Sequence, residues 1–282
     1  MNTLRTILLM GVLTALIVLV GGFIGGKSGM YMAFGFALLT NLGSYWFSDQ
    51  IALAMNGAQP IEKSEAPELY EIVEGLAARA DIPVPPIYLI PSPSPNAFAT
   101  GRDPQHSAVA VTAGIMQLLD RDELEAVLAH ELAHVRNRDV LITTMAAVLA
   151  SVVTMIAHWG MYLGGNRNDR DGGGANPIFM ILLVILAPIA ATLINLAISR
   201  SREYQADASG AKICANPLAL ASALAKIENG AEAMPMRDAN PALASLYIVK
   251  PDPGSWFVNL FSTHPPIPDR IKRLEEMARG MS

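Results

Sequence analysis

The five residues His130-Glu131-Leu132-Ala133-His134 restrict this chain more than any others, because they read H-E-x-x-H inside an apolar run with helical spacing. A helix turns every 3.6 residues, so positions four apart share a face and the two imidazoles can converge on one atom. Two neutral imidazoles so placed supply half of a tetrahedral zinc shell. Glu131 between them stands where it can hold and deprotonate a water beside the ion. The same stretch predicts its own helix. Asp120 is positioned to cap it, Glu123 follows as in a capping box, and Leu124, Val127, Leu128 and Leu132 form an apolar stripe. A helix carrying two surface histidines and a solvated glutamate remains the alternative until a third ligand is found.

Composition bears on where such a helix sits. Of 282 residues, 52% are hydrophobic and 16% charged, with a mean hydropathy of +0.34, whereas about 25% of the residues in soluble domains are charged. The excess is gathered in blocks. Residues 6–25 and 30–47 are apolar and are joined by Gly26-Lys27-Ser28-Gly29, which predicts a transmembrane hairpin. A cleaved signal peptide is the alternative for the first block, but no convincing small-x-small cleavage site supports it. A third block, 140–163, follows the metal motif with no proline or glycine before Gly160. It predicts one long helix that carries the ligands and then enters the bilayer. A polar, glycine-rich loop over 164–176 leads to a fourth block at 177–198, with Pro188 placed to kink it. A formal net charge of -5 and a pI near 5.5 argue against a nucleic-acid partner. The single cysteine, Cys214, excludes an internal disulfide framework and a Cys-rich zinc site.

The chain therefore divides into a first hairpin (1–47), a portion holding the metal motif (48–139), a second hairpin (140–199) and a helical C-terminal portion (200–282). In the second portion, 66–80 has the apolar periodicity of an amphipathic helix. Ile87 to Ile90, Asn96 to Gly101 and Ser107 to Thr112 read as short strands. Zinc proteases commonly hold substrate backbone on an edge strand beside the metal helix. The last of these strands, through Ala108, Val109 and Ala110, is the candidate for that role, with plain core sheet as its alternative.

A third ligand comes from the end of block four, Ser199-Arg200-Ser201-Arg202-Glu203-Tyr204-Gln205-Ala206-Asp207. If blocks three and four form a hairpin, Glu203 emerges on the same side of the bilayer as His134. Histidine, histidine, glutamate and one water make a catalytic zinc set. Asp207, one turn on, can accept a hydrogen bond from a ligand imidazole. Pairing of Glu203 and Asp207 with Arg200 and Arg202 is the competing account. The three-histidine pattern fails, because Asn137 and Val140 stand at its later positions. His106 and His158 read as structural. His264, before Pro265 and Pro266, is held in an extended conformation and could donate to a developing oxyanion; a helix-entry histidine without chemistry is equally compatible. The segment 231–255 is a longer irregular stretch that could cover the cleft.

With His130-Glu131-Leu132-Ala133-His134, Glu203-Tyr204-Gln205-Ala206-Asp207 and Thr263-His264-Pro265-Pro266, the whole chain resembles the HtpX family of membrane zinc metalloproteases, relatives of the CAAX prenyl proteases. The resemblance implies a mainly α fold, with four transmembrane helices in two hairpins and a zincin-like cytoplasmic α+β metalloprotease domain holding a small β-sheet. It implies one zinc per chain on His130, His134 and Glu203, with Glu131 as the catalytic carboxylate and Asn96 flanking the cleft. The implied activity is endoproteolysis of misfolded or damaged membrane proteins in protein quality control, at the cytoplasmic face of the bacterial inner membrane. Arg5, Arg136, Arg138, Arg200 and Arg202 favour the same orientation over Lys27, Arg167 and Arg170. Prenyl-peptide processing, an intramembrane protease and a catalytically silent metal-stabilised scaffold or holdase are the rival readings. The charge flanking the motif opposes the intramembrane one.

Overall fold

The computed structural model of the chain describes residues 2–148, 150–151, 200–236, 243–250 and 265–281. It opens with helix α1 (Asn2–Met55), which reverses at Gly25 and Gly26, the latter at φ +58°. The two arms run side by side. Asn41 donates its side-chain amide to the Thr14 hydroxyl at 2.7 Å and to the Met10 carbonyl at 3.3 Å. Where the arms touch, a β-carbon on Gly29 would collide with the Gly21 carbonyl oxygen, so only glycine fits. The second arm bends again at Phe47 and stays helical to Met55, beyond the end of the 30–47 apolar block. Among the described residues no helix is long and apolar enough to cross a membrane, so four spans are not established. Most of the expected second hairpin, including 177–198, lies outside the described residues, as does His158.

Strand β1 (Gln59–Pro60), helix α2 (Pro67–Ala80) and strands β2 (Ile87–Ile90), β3 (Ala97–Asp103) and β4 (His106–Thr112) follow. The strands form one sheet in the order β1-β2-β4-β3, with β2 and β4 parallel and the outer pairs antiparallel. This overturns the expectation that β4 is the substrate edge. Val109 and Ala110 are paired on both sides, Ala108 is paired with β3, and all three are buried, so no incoming strand can reach them. The physical reason is visible in Ala108-Val109-Ala110-Val111: a continuous apolar run suits a strand covered on both faces, not one with a wet side. The edge belongs to β3, whose apolar run gives way to Arg102 and Asp103.

Helices α3 (Ala113–Leu118), α4 (Arg121–Arg136), α5 (Arg200–Cys214), α6 (Pro217–Ala233) and α7 (Ile267–Met281) complete the described fold. Helix α4 begins with a reciprocal capping box: Glu123 N–H donates to the Asp120 carboxylate at 3.0 Å, and Asp120 N–H to the Glu123 carboxylate at 3.1 Å. Its apolar stripe is buried at Leu124, Val127, Leu128 and Leu132, each contributing about 1.5–3 kcal/mol relative to exposure. The single long helix expected to run on through 140–163 does not form. Arg138 takes a left-handed conformation at φ +56°. The Asp139 N–H turns back to the His134 carbonyl at 3.2 Å, and the chain is helical again over 140–148. This break brings Asp139 against the metal motif.

Helix α5 packs Glu203, Ala206, Asp207 and Gly210, spaced by three and four residues on one buried face, against α4. At the crossing a β-carbon on Gly210 would lie 2.8 Å from both the N and the Cα of His130. We expect Gly210→Ala to cost about 1–3 kcal/mol by overpacking and to push Glu203 away from the histidines. Thermal unfolding together with bound-zinc stoichiometry checks this, and a variant with parental melting and full zinc would contradict it.

Candidate metal centre

His130 and His134 lie one turn apart on α4, and Glu203 reaches them from α5. Their ligand atoms all fall within 4.8 Å of one another. His130 Nε2 is 3.2 Å from His134 Nε2, while the Glu203 carboxylate oxygens stand 3.9 Å from His130 Nε2 and 3.6 Å from His134 Nε2. Bond lengths of 2.0–2.2 Å around a tetrahedral zinc separate neighbouring donors by about 3.3 Å. The three side chains thus already span the space an ion would fill.

Proton placement leads to the same conclusion. His130 Nδ1 lies 2.9 Å from Asp207 Oδ1, and His134 Nδ1 lies 3.2 Å from Asp139 Oδ1. A carboxylate at each Nδ1 assigns the ring proton there, which turns both Nε2 lone pairs inward. Two lone pairs and a carboxylate facing one another repel unless a cation lies between them. His134 reflects this: although burial opposes it, Asp139 and Glu203 raise its pKa to about 10, so the pocket stabilises positive charge at that ring. The donor set fits a single divalent, zinc-like ion.

His130, Glu131, Glu203, Asp207 and Asp139 are all buried. Burial pushes the Glu131 carboxyl above the ordinary carboxylate range, against the pull of His130, His134 and the Ala99 amide. That amide donates to Glu131 Oε2 at 2.8 Å and ties the carboxylate to the edge of β3. A cavity of about 20 Å³, lined by Ala99, Glu131, His134, Val140, Thr143, Glu203, Ser245 and Leu246, adjoins the cluster, which is room for about one water.

Two participants escaped the sequence reading. Arg270, on α7, is fully buried and grips Asp207 with Nε at 2.9 Å and Nη2 at 2.6 Å. Burial works against the Asp207 carboxylate, but Arg270 holds its pKa below the usual range and so keeps it an anion for His130. The partners are far apart in the chain, and nothing near Arg270 announces the pairing. Asp139 was equally hidden, because the helix break that delivers it contains no glycine or proline. Asn96 is buried and bonds to the chain's own backbone: its amide donates to the Val249 carbonyl at 2.9 Å, and the Val249 N–H reaches its oxygen at 3.4 Å. His264 lies outside the described residues. His106 is exposed and bonds Asp103, remote from the cluster's partners.

Two histidines flanking a carboxylate on one helix, met by a glutamate from a second helix beside the edge of a small mixed sheet, define a metallopeptidase. The sequence comparisons make the assignment specific. The profile of Peptidase family M48 matches residues 63–278. A "Protease HtpX homolog" of Pyrococcus furiosus is 54% identical over 98% of this chain and 96% of its own length. One of Thermococcus sibiricus is 52% identical over 99% and 97%. This chain belongs to peptidase family M48, in the HtpX group. In fold it is similar to the crystal structure of S. mikatae Ste24p, with a TM-score of 0.51 at 19% identity, covering 97% of this chain and 65% of that one.

Two substitutions separate the roles around the cluster. Arg270→Met leaves Asp207 buried without its counter-charge, and we expect a loss of roughly 3–5 kcal/mol in denaturant unfolding with chelator present. Asp139→Asn spares the fold but weakens zinc binding about 10- to 100-fold in competition against a fluorescent chelator.

Proposed function

We propose that this chain is a zinc-dependent endopeptidase that cuts extended, unfolded polypeptide, chiefly misfolded membrane proteins, at the cytoplasmic face of the cell membrane. The observation that carries the reading is the convergence of His130, His134 and Glu203 beside Glu131 at the edge of β3. When bound, the ion supplies Lewis acidity towards a carbonyl oxygen and a water molecule.

The remaining chemistry belongs to the chain. Asp207 and Asp139 fix the ring tautomers and orientations of His130 and His134. Glu131 takes the proton of the attacking water. As the new C–O bond forms and the C–N bond breaks, Glu131 returns that proton to the leaving amine. Burial holds its carboxyl above the ordinary carboxylate range, which favours its taking up the proton before handing it on. Burial keeps bulk water from short-circuiting the transfer.

Membrane attachment is supported by the α1 hairpin. Large apolar side chains stand out along both arms, with Leu19 at 69%, Tyr31 at 78% and Leu39 at 73% exposure. A sleeve of this kind is stable only when something apolar covers it. We assign that cover to the bilayer. The cytoplasmic orientation rests on the arginines flanking the metal motif and Glu203.

The test is turnover of β-casein by the detergent-purified, zinc-loaded chain beside Glu131→Gln. The parent should cut casein and the variant should not, with one zinc retained in each. Full zinc with no cleavage by the parent would favour a metal-stabilised scaffold. A Glu131→Gln chain as fast as the parent would remove Glu131 from the reaction.

A further inference from the structure

Segment 243–250 lies across the free edge of β3. The Ile248 N–H donates to the Ala97 carbonyl at 3.3 Å, the kind of bond an added strand would make. Asn96 continues the pairing with its side chain, giving an N–H to the Val249 carbonyl and accepting from the Val249 N–H. A side-chain amide with one donor and one acceptor turned to the same residue is a clamp for peptide backbone of any sequence. Two residues along β3, Ala99 lines the metal cavity together with Ser245 and Leu246. Going from Ala97 to Ala99 therefore means going back from Ile248 towards Leu246, so the segment runs antiparallel to β3 and reaches the metal pocket at Ser245.

The segment is not laid out for attack. Leu246 N–H donates to the Leu243 carbonyl at 2.9 Å, which folds the part nearest the metal into a turn rather than an extended strand. The Ser245 hydroxyl, buried in that turn, has no hydrogen-bond partner among the described residues. A fastening outside the site holds the segment in place. The Tyr247 ring is fully buried and stands edge-to-face on Phe98 at 5.4 Å. Its hydroxyl donates to Asn56 Oδ1 at 2.8 Å, just past the end of α1. Arg270 Nη1 adds a bond to the Ile248 carbonyl at 3.4 Å.

We infer that segment 243–250 is an internal occupant of the substrate edge, latched to the foot of the α1 hairpin through Tyr247 and Asn56, and that an extended polypeptide displaces it to reach the metal. This rests on the peptidase reading above and adds its regulation: the resting enzyme is latent, and opening is controlled from the α1 side. Loss of the Tyr247–Asn56 bond shifts the closed-to-open balance roughly two- to tenfold. Tyr247→Phe keeps the ring against Phe98 and touches no group placed in the catalytic machinery.

The experiment is amide hydrogen exchange by mass spectrometry on the zinc-loaded full chain in detergent, paired with casein turnover. In Glu131→Gln at saturating β-casein, the amides of 245–249 should exchange at least several-fold faster than without casein. Unchanged protection at saturation overturns the inference. Without substrate, Tyr247→Phe should exchange faster over the same residues and cut casein about two- to tenfold faster than the parent, with zinc content unchanged. Faster exchange without faster cleavage, in a parent that does cleave, also overturns it. The exchange comparison between the parent and Tyr247→Phe needs no turnover. Failure of the latch is thus distinct from failure of the peptidase reading, which the parent's own casein cleavage decides.

Discussion

The near-contact of two helix backbones at Gly210 is the constraint on which the rest of this molecule depends. Packed helices ordinarily keep their axes about 8–10 Å apart because side chains fill the gap. Here the missing side chain brings α5 against the N and Cα of His130 itself. Asp207 and Glu203 stand one and two turns before Gly210 on the same face, so they are carried to the level of the two histidines. Asp207 meets the Nδ1 of His130 and Glu203 meets the Nε2 atoms. The donor set is therefore a consequence of how two rigid elements cross rather than of how a loop settles. That kind of support holds ligands to the tolerance metal chemistry requires.

Charge is the second constraint, and it explains why the site recruits residues from so many places. Glu131, Glu203, Asp139 and Asp207 are four buried carboxylates, and Arg270 is the buried guanidinium among them. Isolated charges in such surroundings cost several kcal/mol each. Arg270 offsets Asp207, and Asp139 and Glu203 both face His134. A divalent ion held by His130, His134 and Glu203 would offset most of the remainder, and would then belong to the fold's electrostatic balance as well as to its chemistry.

Much of this was legible in the residues. The spacing of His130, Glu131 and His134 needs only the helical period, and the capping residues Asp120 and Glu123 behave as local chemistry requires. Local rules could not reveal which elements become neighbours. β-Branched and aromatic residues either side of the turn at 101–105 marked β3 and β4 as strands, but strand order is a tertiary property. The continuous apolar run at Ala108 to Val111 was the available sign that β4 is interior. Arg270 was illegible for the same reason, since its meaning arises only when α7 packs under Asp207. The break after Arg136 hid behind Asn137-Arg138-Asp139, because a left-handed arginine carries no sequence signature. The Asp139–His134 contact that accompanies it exists only in the folded site.

The edge of β3 joins these strands of argument. Buried backbone groups must be paired, and an unpaired sheet edge invites association. In the resting chain every described interaction at this edge is internal: Ala99 N–H with Glu131, Ala97 carbonyl with Ile248, and Asn96 with Val249. A polypeptide entering the site must offer the same backbone groups in exchange, so the trade is close to neutral for an extended chain. It is unfavourable for a segment whose N–H and C=O groups are already committed to helix or sheet. On the proposed function, selectivity for unfolded substrate would need no sequence-specific pocket. It would follow from the main-chain hydrogen bonds by which the edge is occupied.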